Sequence, residues 1–500
     1  MKASLRTPAP SATASWAPRL QQEARLAELE AAIARQGKDS IENGVTLEVE
    51  RAALLGALNR REEALAAFIA ILGKSPTHFS ALNEFGALLT SMGSIDAACR
   101  VYSEAILHHP DNPMAHINLA NLLLRGSRYE QAREHYETAL KLDPDHAQAH
   151  QGLGAALADL GERARAADHF RKGFRGHAVS TLPYRGDKVP IRLLQLVSSG
   201  GGNIPTSLFM DDTRFLTTVV VADFLEPDTA LPPHQLIFNT IGDADLCQGA
   251  LEAARRITAR AKVPVINDPA AIMKTGRIDN AARLGKLAGV RTARTIAIAR
   301  DALTGPDGAG SLGSRGFGFP LLLRSMGYHT GRNFIRVERA EDLAAAAQGL
   351  PGEKLLAIEY LDATGADGKP RKYRVMMIGG QLYPLHLAIS KDWKVHYFTA
   401  DMADKPEHRQ EEAAFLTDMP AVLGDKAMTV LERVHAALGL DYAGIDFGLG
   451  ENGDLLLFEA NATMVIAKPG KEAHWAYRHV AIDRALEAAT ALLVSRSTER

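Results

Sequence analysis

Small and large apolar residues recur with a fixed period through the first third of the chain. Ala64, Ala98, Ala132 and Ala166 stand 34 residues apart. An aromatic follows each by four positions, at Phe68, Tyr102, Tyr136 and Phe170. A small residue precedes each by twelve, at Ala52, Gly86, Ala120 and Gly154, and prolines follow the first three by twelve, at Pro76, Pro110 and Pro144. This pattern predicts pairs of antiparallel helices. The small residues let two helices approach, the aromatic fills the gap to the next pair, and proline ends the second helix. After LPYRGDKVP the texture changes. IRLLQLVSS, FLTTVVVAD and HQLIFNTIGD read as strands, and DLCQGALEAARRITARAK reads as a helix. Further strands are predicted at FPLLLRS, FIRVE, KLLAIEYLDA and KYRVMMIGGQLYPLHLAIS, the last folded on itself at Gly379-Gly380. MTVLERVHAALGL is an amphipathic helix.

The 34-residue period resembles the tetratricopeptide (TPR) repeat, over residues 45–180. Residues 16–44 supply an added capping helix, and residues 1–15 a disordered tail. The resemblance implies a groove that takes a peptide or protein partner. Asn83, Asn118 and Asn121 lie on first helices, where they either bond a peptide backbone or stand solvated. Residues 188–270 read as a small α/β unit and residues 271–495 as a larger α+β one. SSGGGNIP, after the first strand, is placed to face a ligand at the strand's carboxyl end, without the GxGxxG spacing of a dinucleotide site.

The stretch YAGIDFGLGENGDLLLFEANAT, residues 442–463, pairs two apolar runs across Asn452-Gly453. A symmetric two-residue turn there sets Asp446 opposite Glu459 and Gly444 opposite Asn461. Cross-strand partners share a face at about 5 Å, so Asp446, Glu459 and Asn461 are expected to cluster. Leu456, Phe458 and Ala460 then occupy the other face. Two facing carboxylates in a dehydrated sheet repel. Either one is protonated, or a cation sits between them, or the hairpin is exposed and water screens the acids. All-oxygen ligands suit Mg2+.

Taken in order, the elements over 190–490 resemble the ATP-grasp superfamily. The family ends with an Asp on one strand and a Glu-x-Asn on the next, which bind the magnesium of MgATP, and Asp446, Glu459 and Asn461 match. The resemblance further implies that LAIEYLDA is the adenine hinge, with Glu359 near the amino group and Tyr360 and Leu361 as backbone contacts. Read alone, the same residues fit an ordinary strand end. SMGYHTGRN falls where the family folds a loop over the phosphates, so Gly327 and Gly331 would bring backbone N–H groups to the anions, and His329 in that turn is either a phosphate contact or merely exposed. Where the family usually has lysines, this chain has Arg324 and Arg277. Arginine keeps the charge and changes the geometry. Arg374 and Lys372 share a strand face. Arg374 is expected to contact the transferred phosphate or a substrate carboxylate, and Lys372 to be solvated. Lys391, Lys394, His396, Trp393 and Tyr397 mark a substrate-facing loop.

Composition narrows this reading rather than redirecting it. The chain has 500 residues, too many for one core, and its formal net charge of −2 gives no global field for nucleic acid or an anionic membrane. Two cysteines in small-residue contexts give no disulfide framework and favour a reducing, cytoplasmic setting. No apolar run is long enough to span a bilayer, and the first twenty residues lack the apolar core of a secretory signal. The fold class expected is therefore an all-α TPR solenoid followed by an α/β unit and an α+β ATP-grasp domain. The activity implied is an ATP- and Mg2+-dependent ligase that joins a carboxylate to an amine or thiol through an acyl phosphate, on a peptide or protein recruited by the repeats. Alternatives are a kinase acting on a hydroxyl, and a TPR adaptor with a degenerate nucleotide site.

Overall fold

The computed structural model describes residues 18–35, 41–326 and 333–499. The tail expected over residues 1–15 lies outside them. The described chain forms two compact units, one of residues through Leu194 with Asp211–His234, the other of Gln195–Met210 with Gln235 onward.

The first unit carries, among the described residues, nine helices from Pro18–Arg35 to Arg163–Phe174. Second helices of three pairs end at Lys74, His108 and Leu142, two residues before Pro76, Pro110 and Pro144. A proline disfavours helical backbone in the residue before it, so each helix stops there. First helices start on side-chain caps. Asn112 accepts from the Met114 N–H at 3.0 Å, and His78 from the Ala81 N–H at 3.2 Å.

The packing explains the periodic residues. A Cβ on Gly86 would come within 2.5 Å of the Tyr102 ring, and one on Gly154 within 2.6 Å of Phe170. Tyr136 reaches forward to the next pair, where a Cβ on Gly152 would meet its ring. Phe68 and Tyr136 are fully buried, and each such side chain contributes roughly 1.5–3 kcal/mol. Between the helices lie two histidine pairs. His116 and His135 meet Nδ1 to Nδ1 at 3.1 Å, and His150 and His169, each 34 residues further on, at 2.8 Å. The three asparagines are half-buried, and each has a side-chain partner. Asn118 donates to Asn83 at 2.6 Å, and Tyr136 Oη donates to Asn121 at 2.6 Å. This unit also holds strand β1 (Val179–Thr181), while β2 (Ile191–Val197) runs across the division of the chain, and β3 (Phe215–Val221) pairs antiparallel with β1.

The second unit is built on sheets. β4 (Leu236–Asn239) pairs parallel with β5 (Val265–Ile266). β6 (Val290–Thr292), β7 (Thr295–Ala299), β8 (Leu321–Ser325), β9 (Phe334–Val337), β10 (Lys354–Glu359), β11 (Arg371–Ile378), β12 (Gln381–Ile389), β13 (Tyr442–Leu449) and β14 (Leu455–Asn461) follow. They form a four-stranded sheet, β7-β10-β8-β9, and a five-stranded one, β12-β11-β13-β14-β6. β11 and β12 meet at Gly379-Gly380 as expected, with φ of 56° and 87° that suit glycine. The helix Met419–Leu438 ends on Gly439 at φ 63°. No described helix is long and apolar enough to cross a membrane.

Candidate functional site

Asp446 pairs with Glu459 and Gly444 with Asn461. The expected facing is present, but the expected turn is not. Gly453 N–H donates to Gly450 O and Gly450 N–H to Asp454 O, both at 2.9 Å, with Gly453 at φ 70°. This is a three-residue loop ending on a left-handed glycine. It shifts the inner register by one, so that Leu449 faces Leu455 and Phe447 faces Leu457. A bulge between Asp446 and Phe447 then absorbs the extra residue, Phe458, and restores the outer register. The correction has a cost for the faces. Leu456 now faces Gly448, on the Asp446 side, where it packs with Leu361 and Ala363. Phe458 also lies near Gly448 and is 37% exposed. Ala460 stays opposite Ile445 as expected.

The two acids are charged, and protein cations neutralise them. Arg374 lies across from Asp446 on β11 and grips it with two bonds, at 2.6 and 2.8 Å. Lys372 adds a contact at 3.1 Å. Lys372 is therefore part of the site and not the solvated strand residue expected. Burial disfavours the Asp446 charge, yet Arg374 and Lys372 outweigh it and hold the carboxyl far below its usual range. Arg277, at the start of the helix Arg277–Leu284, bonds Glu459 at 2.6 Å, and Asn461 donates to the same oxygen at 3.0 Å. Burial opposes the Glu459 charge too, but Arg277 and Arg324 keep this carboxyl below its usual value. Neither protonation nor an ion between the acids is needed to settle their repulsion.

Two carboxylates and an amide oxygen are donors of the type Mg2+ takes, and each residue has an oxygen engaged by protein groups. Asn461 Oδ1 accepts from Thr463 N and Oγ1, both at 2.9 Å. Among the described residues no group of three or more His, Cys, Asp or Glu gathers as a metal cage.

Arg324, on β8, is buried beside Phe334, its guanidinium 5.5 Å from the ring. Burial and the neighbouring Arg277 charge bring it down to about 10. Asp243 and Asp245 belong to the same electrostatic cluster. Asp245 accepts from the Arg277 backbone N–H at 3.1 Å, and burial raises its carboxyl. The sequence reading missed both, although an aspartate pair at the carboxyl end of a strand is a usable signal. It also missed His386, which pairs across from Arg374, is buried, lies tilted against the Tyr397 ring at 4.7 Å, and is kept neutral by burial and by the Arg374 charge. The Gly201–Gly202 turn packs on this acidic loop, since Gly202 O accepts from Gly242 N at 2.9 Å and Asp243 N at 3.2 Å.

The residues expected to form the hinge fall at the end of β10. Glu359 accepts from Arg291 and from the Arg294 N–H, both at 3.2 Å. Tyr360 carries the Arg336 guanidinium 4.2 Å from its ring, and Leu361 is buried. A cavity of about 70 Å3 runs between the two sheets, lined by Thr295, Ile358, Arg277, Phe458, Glu459 and Asn461 among others. Gly327, Gly331 and His329 lie outside the described residues.

The TPR repeat family matches in two places, as "TPR repeat" over residues 124–161 and "Tetratricopeptide repeat" over residues 85–132. The N-terminal unit thus contains TPR repeats. The chain is 33% identical over 85 residues to the TPR repeat-containing thioredoxin TTL4 of Arabidopsis thaliana, covering 17% of this chain and 12% of that protein. Among solved structures, MamA from Desulfovibrio magneticus RS-1 is 21% identical, with a TM-score of 0.26 over 32% of this chain and 96% of that one. A tetratricopeptide repeat protein from Parabacteroides merdae is 15% identical, with a TM-score of 0.28 over 31% of this chain and 60% of that one.

Proposed function

We propose that the second unit is an ATP-grasp ligase and that the TPR repeats recruit its peptide or protein substrate. The observation that carries the reading is the pairing of Asp446 with Glu459, with Asn461 on the same face, inside a cluster of Arg277, Arg324, Arg374 and Lys372. Two acids with Lys372 and Arg374 on one sheet, Arg277 from a helix start and Arg324 from the other sheet, suit a polyanion held with a divalent metal. Asp446, Glu459 and Asn461 would hold Mg2+, which when bound screens charge on the phosphates. Arg324 and Arg277 would bind phosphate oxygens, and Arg374 would steady the phosphoryl group as it moves to a substrate carboxylate. Glu359, Tyr360 and Leu361 would hold adenine. Phosphoryl transfer needs placement and charge neutralisation, and no side-chain nucleophile.

A second reading has its own support. The acids are tied to arginines, and the cavity between the sheets is small. Both fit a TPR adaptor with a degenerate nucleotide site. An ADP-release screen over amino acids, dipeptides and peptides, with mass spectrometry of products, separates the two. The ligase reading expects Mg2+-dependent ADP release with one carboxylate and one amine. Turnover that persists in the Asp446→Ala, Glu459→Ala double variant sinks the site assignment.

A further inference from the structure

Every oxygen of Asp446 already has a protein cation. Arg374 takes Oδ1 and Oδ2, and Lys372 takes Oδ2 as well. Glu459 Oε1 is shared by Arg277 and Asn461. These are the oxygens a divalent metal would need. The same three basic residues, with Arg324, are also the groups that a triphosphate would draw to itself, because guanidinium binds phosphate in the same two-bond fashion as carboxylate and the lysine ammonium binds it as a point charge. Three cations in direct contact with two carboxylates oppose a bare divalent ion at short range, where charge interactions are strong in a half-buried site. The exchange is local. Lys372, Arg374 and Asp446 lie on neighbouring strands of one sheet, and the Lys372 and Arg374 side chains are 15% and 21% exposed, so each keeps an edge open to an incoming anion.

We infer that Lys372, Arg374 and Arg277 are exchangeable counter-ions that couple metal binding to nucleotide binding. With the site empty of phosphate they hold the carboxylates and keep a divalent metal out. With phosphate present they move to it and release Asp446 and Glu459 to the metal. Metal and nucleotide therefore enter together, and the metal alone does not. This inference rests on the nucleotide reading above and assigns Lys372 a binding role that the sequence did not suggest.

The test is equilibrium binding of Mn2+ to the full chain, read as protein-retained Mn2+ in equilibrium dialysis, with and without a non-hydrolysable ATP analogue at equal concentration in both compartments. Wild type is expected to bind Mn2+ with the analogue and to show no binding below about 1 mM without it. The Lys372→Gln, Arg374→Gln double variant is expected to bind Mn2+ without nucleotide at least about tenfold tighter than wild type. Its thermal midpoint then rises with Mn2+ alone, a ligand-linked shift that a merely damaged protein does not gain. Arg374→Lys, which keeps the charge, should still exclude the bare ion. Wild type binding Mn2+ without nucleotide as tightly as the double variant overturns the exchange and leaves the nucleotide reading standing. A folded double variant with no gain in affinity does the same. Wild type binding no Mn2+ even with the analogue overturns the nucleotide reading and the exchange with it.

Discussion

The two units solve their packing in opposite ways. In the helical unit one device is repeated: a small residue on one helix receives an aromatic from another, as Gly86 receives Tyr102 and Gly154 receives Phe170. In the sheet unit the decisive contacts occur once each, and they are polar: Arg374 and Lys372 on Asp446, and Arg277 on Glu459. Repetition makes the first unit tolerant of local change. The second concentrates charge where one loss leaves several groups unpaired.

The largest effect should follow Asp446→Ala. It strands Lys372 and Arg374 with no partner in a half-buried site, at a cost of about 3 kcal/mol. A urea melt of the sheet unit's signal reads this, and an unchanged midpoint would mean the cations find water instead. Next comes Gly152→Val, which drives a side chain into the Tyr136 ring and should cost about 1–3 kcal/mol. If the neighbouring repeats simply shift, the loss falls below about 1 kcal/mol and the helical unit is more compliant than its packing implies. Tyr136→Phe removes only the bond to Asn121 and should cost about 1 kcal/mol.

The smallest effect is a pH slope. Burial holds His135, His150 and His169 below their ordinary value. Above about pH 6.5 they are neutral in both states and the slope is flat. Below it the unfolded chain takes up protons that the folded chain refuses, so stability falls with falling pH. Replacing His135 and His169 with glutamine should flatten the urea midpoint between pH 7.5 and 5.5, and an unchanged slope would place the titration elsewhere.

How much could be read in advance also differs between the units. The repeats were legible because four positions recur at one period, and each has a single packing meaning. The asparagines were not, because a solvated, a peptide-facing and a mutually bonded Asn look alike in sequence. In the hairpin, Asn452-Gly453 pointed to a two-residue turn, and the loop has three residues. The pairing of Asp446 with Glu459 came out as expected only because the bulge at Phe458 offsets the longer loop. Bulges carry no reliable letter code, so Leu456 and Phe458 were placed on the wrong face. Lys372 was read as solvated, and His386 was missed, for a different reason: strand alternation tells which face a residue is on, not whether that face is wet.

The central claim is that Asp446 and Glu459 belong to a nucleotide site. Isothermal titration with ATP in the presence of Mg2+ tests it most directly, on wild type and on the Asp446→Asn, Glu459→Gln double variant, which keeps the side-chain shape but removes the charge and one acceptor oxygen from each residue. The account predicts one ATP per wild-type chain and at least about a hundredfold weaker binding in the variant. Equal affinity in the two proteins, or no binding to wild type at all, would contradict it.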